Sequence, residues 1–150
     1  MTLSLFLHAL SVVVWVGGMF FAYLCLRPVA ASVLEPPQRL SLWAGVFDRF
    51  FPWVWASVIL ILLSGLHMFF AMGGASAPHY TRTMLALGVI MMLIFGHVFF
   101  SPYKKLKRAV AAQDWPGGGA ALTQIRKLIG VNLALGLVTI AVVFLGRAMA

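Results

Sequence analysis

Four long apolar runs, none of which contains a charged residue, decide what this chain can fold into. They cover residues 3–26, 50–72, 83–101 and 128–146, and short segments between them carry almost all of the charge. Each run has roughly the 20 residues that an α-helix needs to cross ~30 Å of hydrocarbon. With 63% hydrophobic and 9% charged residues, the chain has the composition of a membrane protein. The sequence predicts one all-α transmembrane domain over residues 1–150, an up-and-down four-helix bundle.

The basic residues are concentrated in two of the three loops. Loops one and three, between the first and second and between the third and fourth runs, hold nine of the eleven Lys and Arg residues. The positive-inside rule therefore predicts that loops one and three are cytoplasmic and that both termini lie outside. The net charge of +8 is best explained by anionic lipid at these loops. Nucleic acid is not expected as a partner, because the chain lacks groove-reading elements.

Loops one and three both contain segments with helical patterns of their own. Residues 36–50 begin with two prolines and repeat apolar residues at helical spacing beside arginines, which predicts a short interfacial helix running into the second crossing. In loop three, YKKLKRAV predicts a basic amphipathic turn, and DWPGGG predicts a break in helical structure. A helical lead, ALTQIRKL, then enters the last crossing.

Histidines inside the apolar runs are the main candidates for function, because ionisable groups in a bilayer are costly. His8 and His67 each lie about five residues from the outer end of a run, which predicts that they share one depth. His8 continues along the first helix in a polar and small stripe with Ser11, Trp15 and Gly18, so it should point into the bundle. Two axial imidazoles suit a b-type haem for electron transfer, with the stripe lining the cofactor. This is the favoured prediction.

Copper is the alternative ligand of the same two histidines. Imidazole and thioether groups suit both oxidation states of copper, and a closed site needs a third ligand, for which Met72 and His79 are the candidates. As a copper protein, the chain would serve copper uptake or resistance. A third possibility is a structural or assembly subunit without metal, in which the histidines only pack.

Two further residues form a candidate second metal site, and the positions of the acidic residues argue against several activities. His97 and Cys25 both lie near the cytoplasmic ends of their runs and are candidates for another metal site. The only acids are Glu35, Asp48 and Asp114, all in the cytoplasmic loops, so no intramembrane carboxylate is available for a proton relay. Hydrolytic and phosphoryl-transfer chemistry are therefore not expected.

Several segments, taken in their order along the chain, resemble the CopD-type copper-resistance membrane domain in its small, stand-alone four-helix form. They are His8 with WVGGMFF at 15–21, RFFPWVWAS at 49–57 with SGLH at 64–67, GHVFFSPYKKLKRAVAAQDW at 96–115, and IRKLIGVNLALG at 125–136. The resemblance covers essentially the whole chain. It implies a bacterial-type inner-membrane protein with a role in copper handling.

The layout is also similar, more distantly, to HemJ-type haem-binding membrane proteins, which are porphyrinogen oxidases. His8 and Trp15 keep that family's seven-residue spacing, and Arg126 corresponds to its arginine before the fourth helix. The family's lysine, eleven residues before the histidine of helix three, is replaced by Ala86 ahead of His97. This departure argues against porphyrinogen oxidase activity and leaves haem-dependent oxidoreductase chemistry open. A quinone or periplasmic redox partner and a homodimer are further expectations.

Overall fold

The structure, a computed structural model, describes all residues from 1 to 150 and contains helices and connecting turns without strands. The helices are α1 (Thr2–Phe20), a π-helical segment (Phe21–Leu26), α2 (Arg27–Val33), α3 (Pro36–Ala71), a 3-10 turn (Gly74–Ser76), α4 (His79–Phe100), α5 (Pro102–Ala111) and α6 (Trp115–Met149). Four continuous helical stretches are long and apolar enough to cross a membrane: Thr2–Val33, Pro36–Ala71, His79–Ala111 and Trp115–Met149. The predicted all-α four-helix membrane bundle is confirmed.

The crossing helices pack as antiparallel neighbours. α1 lies mainly against α3, and α4 lies mainly against α6. Residues near the start of α1 meet residues near the end of α3, as the hydrogen bond between Ser4 and His67 shows. One end of the bundle therefore carries both termini and residues 72–79, and we call it the terminal end. The opposite end carries residues 27–49 and 101–127, and we call it the basic end.

α3 is one helix of 36 residues, which includes the interfacial segment expected from the sequence. Pro36 and Pro37 occupy its first turn, where a missing N–H costs nothing because the helix has no acceptor for it there. Trp43 and Phe47 are buried on its inner face. The prediction that this helix runs into the second crossing is confirmed.

The first crossing does not end at residue 26 as predicted. It passes through the π-helical segment Phe21–Leu26 and continues as α2 to Val33. A π-helix bonds each residue to the fifth one along, so it takes more residues per turn than an α-helix and rotates the face that follows. Ala22 is still buried, but Cys25, three residues on, is exposed.

The predicted break between the two helical segments of loop three is present, but it covers residues 112–114 and not 114–119, because α6 begins at Trp115. The Asp114 carboxylate accepts a hydrogen bond from the Gly117 backbone N–H, 3.1 Å away, and thereby caps the helix. Gly118 is buried, and a Cβ at this position would lie 3.1 Å from a methyl of Leu40. The glycines therefore allow α6 to pack closely against α3 in its first turns instead of interrupting the helix.

The core of the bundle is largely aromatic toward the basic end. Phe51 stacks on Phe47 with ring centres 4.8 Å apart and meets Phe95 and Tyr103 edge-to-face at 5.3 and 4.8 Å. The hydroxyl of Tyr103 also donates a hydrogen bond to Asp48, which ties α5 to α3. This aromatic packing separates the basic end from the histidines at the terminal end.

Candidate metal centre

Two hydrogen bonds between serine and histidine join α1 and α3 at the terminal end. The Nδ1 atom of His67 lies 2.8 Å from the hydroxyl of Ser4, and the Nδ1 atom of His8 lies 3.2 Å from the hydroxyl of Ser64. Each helix contributes one histidine and one serine, and the antiparallel arrangement pairs each histidine with the serine of the other helix. We call this four-residue arrangement the Ser–His ladder, with an outer rung (Ser4 and His67) and an inner rung (His8 and Ser64).

The inner rung fixes the tautomer of His8. The Ser64 hydroxyl donates its single hydrogen to the backbone carbonyl of Leu60, so it can only accept from the imidazole. His8 must then carry its proton on Nδ1 and leave the lone pair of Nε2 free. A neutral imidazole whose Nδ1–H is held by a hydrogen bond is the usual state of a metal-binding histidine.

The outer rung is less constrained. Ser4 makes no other side-chain hydrogen bond, so its hydroxyl is free to donate to Nδ1 of His67 or to accept from an Nδ1–H. The side chain of His67 is exposed, whereas that of His8 is half-buried and Ser64 is buried. The ladder thus has one oriented imidazole inside and one adaptable imidazole at its edge.

The two histidines do not lie at the same depth. The pairing places His67 level with Ser4, and His8 level with Ser64. They are offset by one helical turn, about 5 Å along the bundle axis. The estimate from the sequence counted residues from the run ends and assumed that these ends lie level, which depends on the register of α1 on α3.

The other residues of the predicted stripe on α1 serve packing. Ser11 and Trp15 are each only 3% exposed. The indole of Trp15 meets the ring of Phe95 edge-to-face with centres 6.2 Å apart, and so belongs to the aromatic core. Gly18 faces the ring of Phe50, which occupies the space that a Cβ would need. The burial of Ser11 and Trp15 agrees with the prediction that this face of α1 points inward.

The candidates for a third metal ligand lie at the terminal end but outside the ladder. Met72 is exposed and follows the last residue of α3, one turn beyond Met68, which is buried. His79 is exposed at the start of α4, and the Arg82 guanidinium lies 2.7 Å from its Nδ1 atom and donates to it. The same guanidinium nitrogen lies 3.5 Å from Nε2 of His79, so the imidazole is engaged by Arg82, whereas Met72 makes no side-chain hydrogen bond.

The suggested second site gains no support from the fold. His97 and Cys25 are both exposed. Cys25 lies in the π-helical segment, whose neighbours are α1, α2 and α6, whereas His97 lies on α4. No group of three or more His, Cys, Asp or Glu side chains is arranged to hold a metal ion anywhere in the structure.

The packing at the ladder does not fit a haem between α1 and α3. A Cβ on Gly65 would lie 3.4 Å from Cε1 of His8, which is ordinary van der Waals contact, so the two helices touch at this level. Cavities of about 350 and 420 Å³ both lie at the basic end, and neither is lined by His8 or His67. A flat macrocycle would have to separate the helices that the ladder joins.

The partner role of Ser4 was missed in the sequence. A signal for it exists, because Ser4 precedes His8 by four residues and Ser64 precedes His67 by three. In an antiparallel pair of helices, two such motifs place each serine opposite the other helix's histidine. Recognising this requires knowing that the two helices are neighbours, which the sequence alone does not state.

The fold and the ladder define a multi-pass membrane protein with a polar site near one end of a four-helix bundle. The family model for copper resistance protein D matches residues 44–145, more than half of the chain, and the chain belongs to the CopD family. The matched segment contains His67 and Ser64 but not His8 or Ser4, which precede it. No curated protein and no solved structure matches the chain.

Proposed function

We propose that this CopD-family protein binds a copper ion at the terminal end through Nε2 of His8 and His67 and handles copper across the membrane for uptake or resistance. The observation that carries the proposal is the Ser–His ladder. It holds both imidazoles by Nδ1, on neighbouring helices, and leaves their Nε2 atoms for another partner. Imidazole nitrogens and thioether sulfur are ligands that copper accepts in proteins.

The donor set suits copper as a cargo better than haem as a resident cofactor. Two imidazoles, with the thioether of Met72 at the same end of the bundle, offer a small and partly exposed set of ligands, so an ion could bind and be released. Because the proton of His8 is on Nδ1, its Nε2 atom can offer a lone pair to the ion. The exposed side chain of His67 can turn toward the same ion. Haem, the favoured prediction from the sequence, would need space that the contact between His8 and Gly65 occupies.

The charge distribution supports an orientation in which the ladder faces outward. Nine of the eleven basic residues lie at the basic end, and cytoplasmic loops of inner-membrane proteins are enriched in Lys and Arg. In this orientation the terminal end faces the periplasm. Copper would then reach the exposed outer rung first, and His8 second.

Metal analysis and an absorption spectrum of the purified full-length protein test the proposal together. After loading with Cu(I) and removal of excess ion, we expect one copper per chain and no Soret band. His8→Ala and His67→Ala should each lose the copper. His97→Ala is the matched control, because it removes a histidine from the same bundle outside the ladder, and it should retain the ion.

Three results would contradict the proposal. A Soret band with split reduced bands that disappears in His8→Ala would mean that the ladder holds haem. Copper retained at full stoichiometry by His8→Ala would place the ion elsewhere. A colourless protein that binds no metal, and whose function survives both ladder substitutions, would mean that the histidines only pack.

A further inference from the structure

A cavity of about 350 Å³ opens at the basic end, far from the Ser–His ladder. It lies where the π-helical segment and α2, the beginning of α3 and the beginning of α6 come together. Its walls combine three arginines with a largely apolar lining. Its arginines are Arg27, Arg39 and Arg126.

None of these three guanidinium groups has a carboxylate partner. The one ion pair in the structure joins Lys107 and Asp48, 3.1 Å apart, and no acidic residue lines the cavity. Arg27 donates from Nε to the backbone carbonyl of Tyr23 and lies over the tyrosine ring at 4.5 Å, which holds its guanidinium in place. Arg39 makes no side-chain hydrogen bond. Arg27 and Arg39 are half-buried, and leaving half-buried cations unpaired is costly, so the cavity favours an anion.

The positive ends of two helices add to this preference. Pro36, the first residue of α3, and Trp115, the first residue of α6, both line the cavity. Helix N-termini carry partial positive charge and stabilise nearby anions. Arginine also recognises phosphate with two parallel hydrogen bonds, a geometry that lysine does not offer.

The remaining walls are apolar and aromatic. Trp43 is buried, and Leu122 and Ile129 are half-buried on the facing side of α6. The cavity lies at the border of the apolar runs, where lipid headgroups meet hydrocarbon, and tryptophan is typical of this level. The cavity therefore presents cationic groups for a headgroup and an apolar surface for the carbon chains attached to it.

We propose that this cavity is a binding site for the phosphate of an anionic phospholipid, held by Arg27, Arg39 and Arg126. The proposal rests on the cavity alone and is independent of copper at the other end. Basic pockets between membrane helices are a known form of lipid headgroup site. The apolar walls and the position at the membrane border favour a lipid over a soluble phosphate ester as the source of the anion.

Native mass spectrometry of the full-length protein in detergent tests this site. The protein is titrated with phosphatidylglycerol and, separately, with phosphatidylcholine of the same acyl chains. We expect tighter binding of phosphatidylglycerol, and Arg39→Gln should raise its Kd roughly tenfold, the scale of a lost charge-assisted hydrogen bond. Arg39→Lys should lose less, because it keeps the charge without the forked donors.

Arg49→Gln is the matched control, since it removes the same charge from the same helix at an exposed residue that does not line the cavity. It should change the Kd less than twofold. Arg126→Gln is a second test at an exposed position, where loss of folding is not expected, and it should weaken binding about threefold. Circular dichroism confirms that each variant retains its helices.

Several results would overturn the proposal. Equal weakening by Arg39→Gln and Arg49→Gln would mean that only the surface charge attracts lipid. Equal affinity for phosphatidylcholine would remove the role of the arginines. Displacement of the lipid by an equal concentration of glycerol 3-phosphate would identify a soluble anion as the occupant.

Discussion

The two ends of the bundle differ in the kind of polar group that they leave without a partner. At the terminal end, imidazoles and hydroxyls pair one for one across α1 and α3, and the ring atom left without a hydrogen-bond partner on each histidine is Nε2. At the basic end, arginines surround a cavity without a carboxylate among them, and the groups left over are N–H donors. The first arrangement suits a cation, and the second suits an anion.

Charge alone therefore does not locate the functional groups of this small membrane protein. The ladder contains no Lys, Arg, Asp or Glu, yet its side-chain hydrogen bonds hold two imidazoles by Nδ1 and leave both Nε2 atoms without a partner. The basic end carries most of the charge, yet much of it lies on exposed lysines of α5. Only the three arginines around the cavity are arranged to share one ligand.

The largest expected effect comes from breaking the helix contact on which both ends depend. Gly18→Leu would place a side chain where the ring of Phe50 now lies, so the ring or the helix that carries it must shift. We expect a loss of about 2 kcal/mol of stability, the usual scale of overpacking. Gly17→Leu is the matched control, because a Cβ there meets nothing within 4 Å. Unfolding in mixed detergent measures both, and equal losses would show that the α1–α3 contact is not critical at Gly18.

An intermediate effect is expected from the inner rung alone. Ser64→Ala removes the acceptor that fixes the His8 tautomer, and loss of such a supporting hydrogen bond typically weakens metal binding by about tenfold or more. Competition with a Cu(I) chelator measures the affinity. Ser57→Ala, which removes another buried serine of α3, should leave it unchanged. If both serine variants bind copper as tightly as the unsubstituted protein, the orientation of His8 does not matter.

The smallest effect is expected at the exposed ion pair of the basic end. Lys107 and Asp48 lie 3.1 Å apart, but both side chains are about half exposed. Exposed pairs contribute about 0.5 kcal/mol or less, so Lys107→Ala should barely change the unfolding midpoint. A loss as large as that of Gly18→Leu would mean that charge pairing, and not helix packing, holds the basic end together.

The sequence predicted the features that depend on one helix at a time. Long runs without charge must become membrane-crossing helices, because no other structure satisfies the backbone in lipid. The inward face of α1 also follows from its own spacing, since Ser11 and Trp15 lie one turn apart and both are buried. In the same way, Pro36 and Pro37 predicted where α3 begins, since they form its first turn.

Features that depend on how two helices meet were missed or misplaced. The one-turn offset between His8 and His67 follows from the register of α1 on α3, which no local pattern encodes. The break before α6 was predicted to be longer than it is, because Gly117 and its neighbours favour turns in isolation and only packing against Leu40 makes Gly118 useful in a helix. The π-helical segment, which rotates Cys25 outward, likewise has no clear sequence signal.

The central claim is that His8 and His67 both bind copper through Nε2, and pulsed electron paramagnetic resonance of the Cu(II)-loaded full-length protein tests it most directly. The remote nitrogen of each coordinated imidazole modulates the electron spin echo, so the signal counts the bound histidines. We predict modulation from two imidazoles in the unsubstituted protein and in His97→Ala, and no signal from bound copper in His8→Ala or His67→Ala. Modulation that persists unchanged in His8→Ala, or its absence from the unsubstituted protein, would contradict the account.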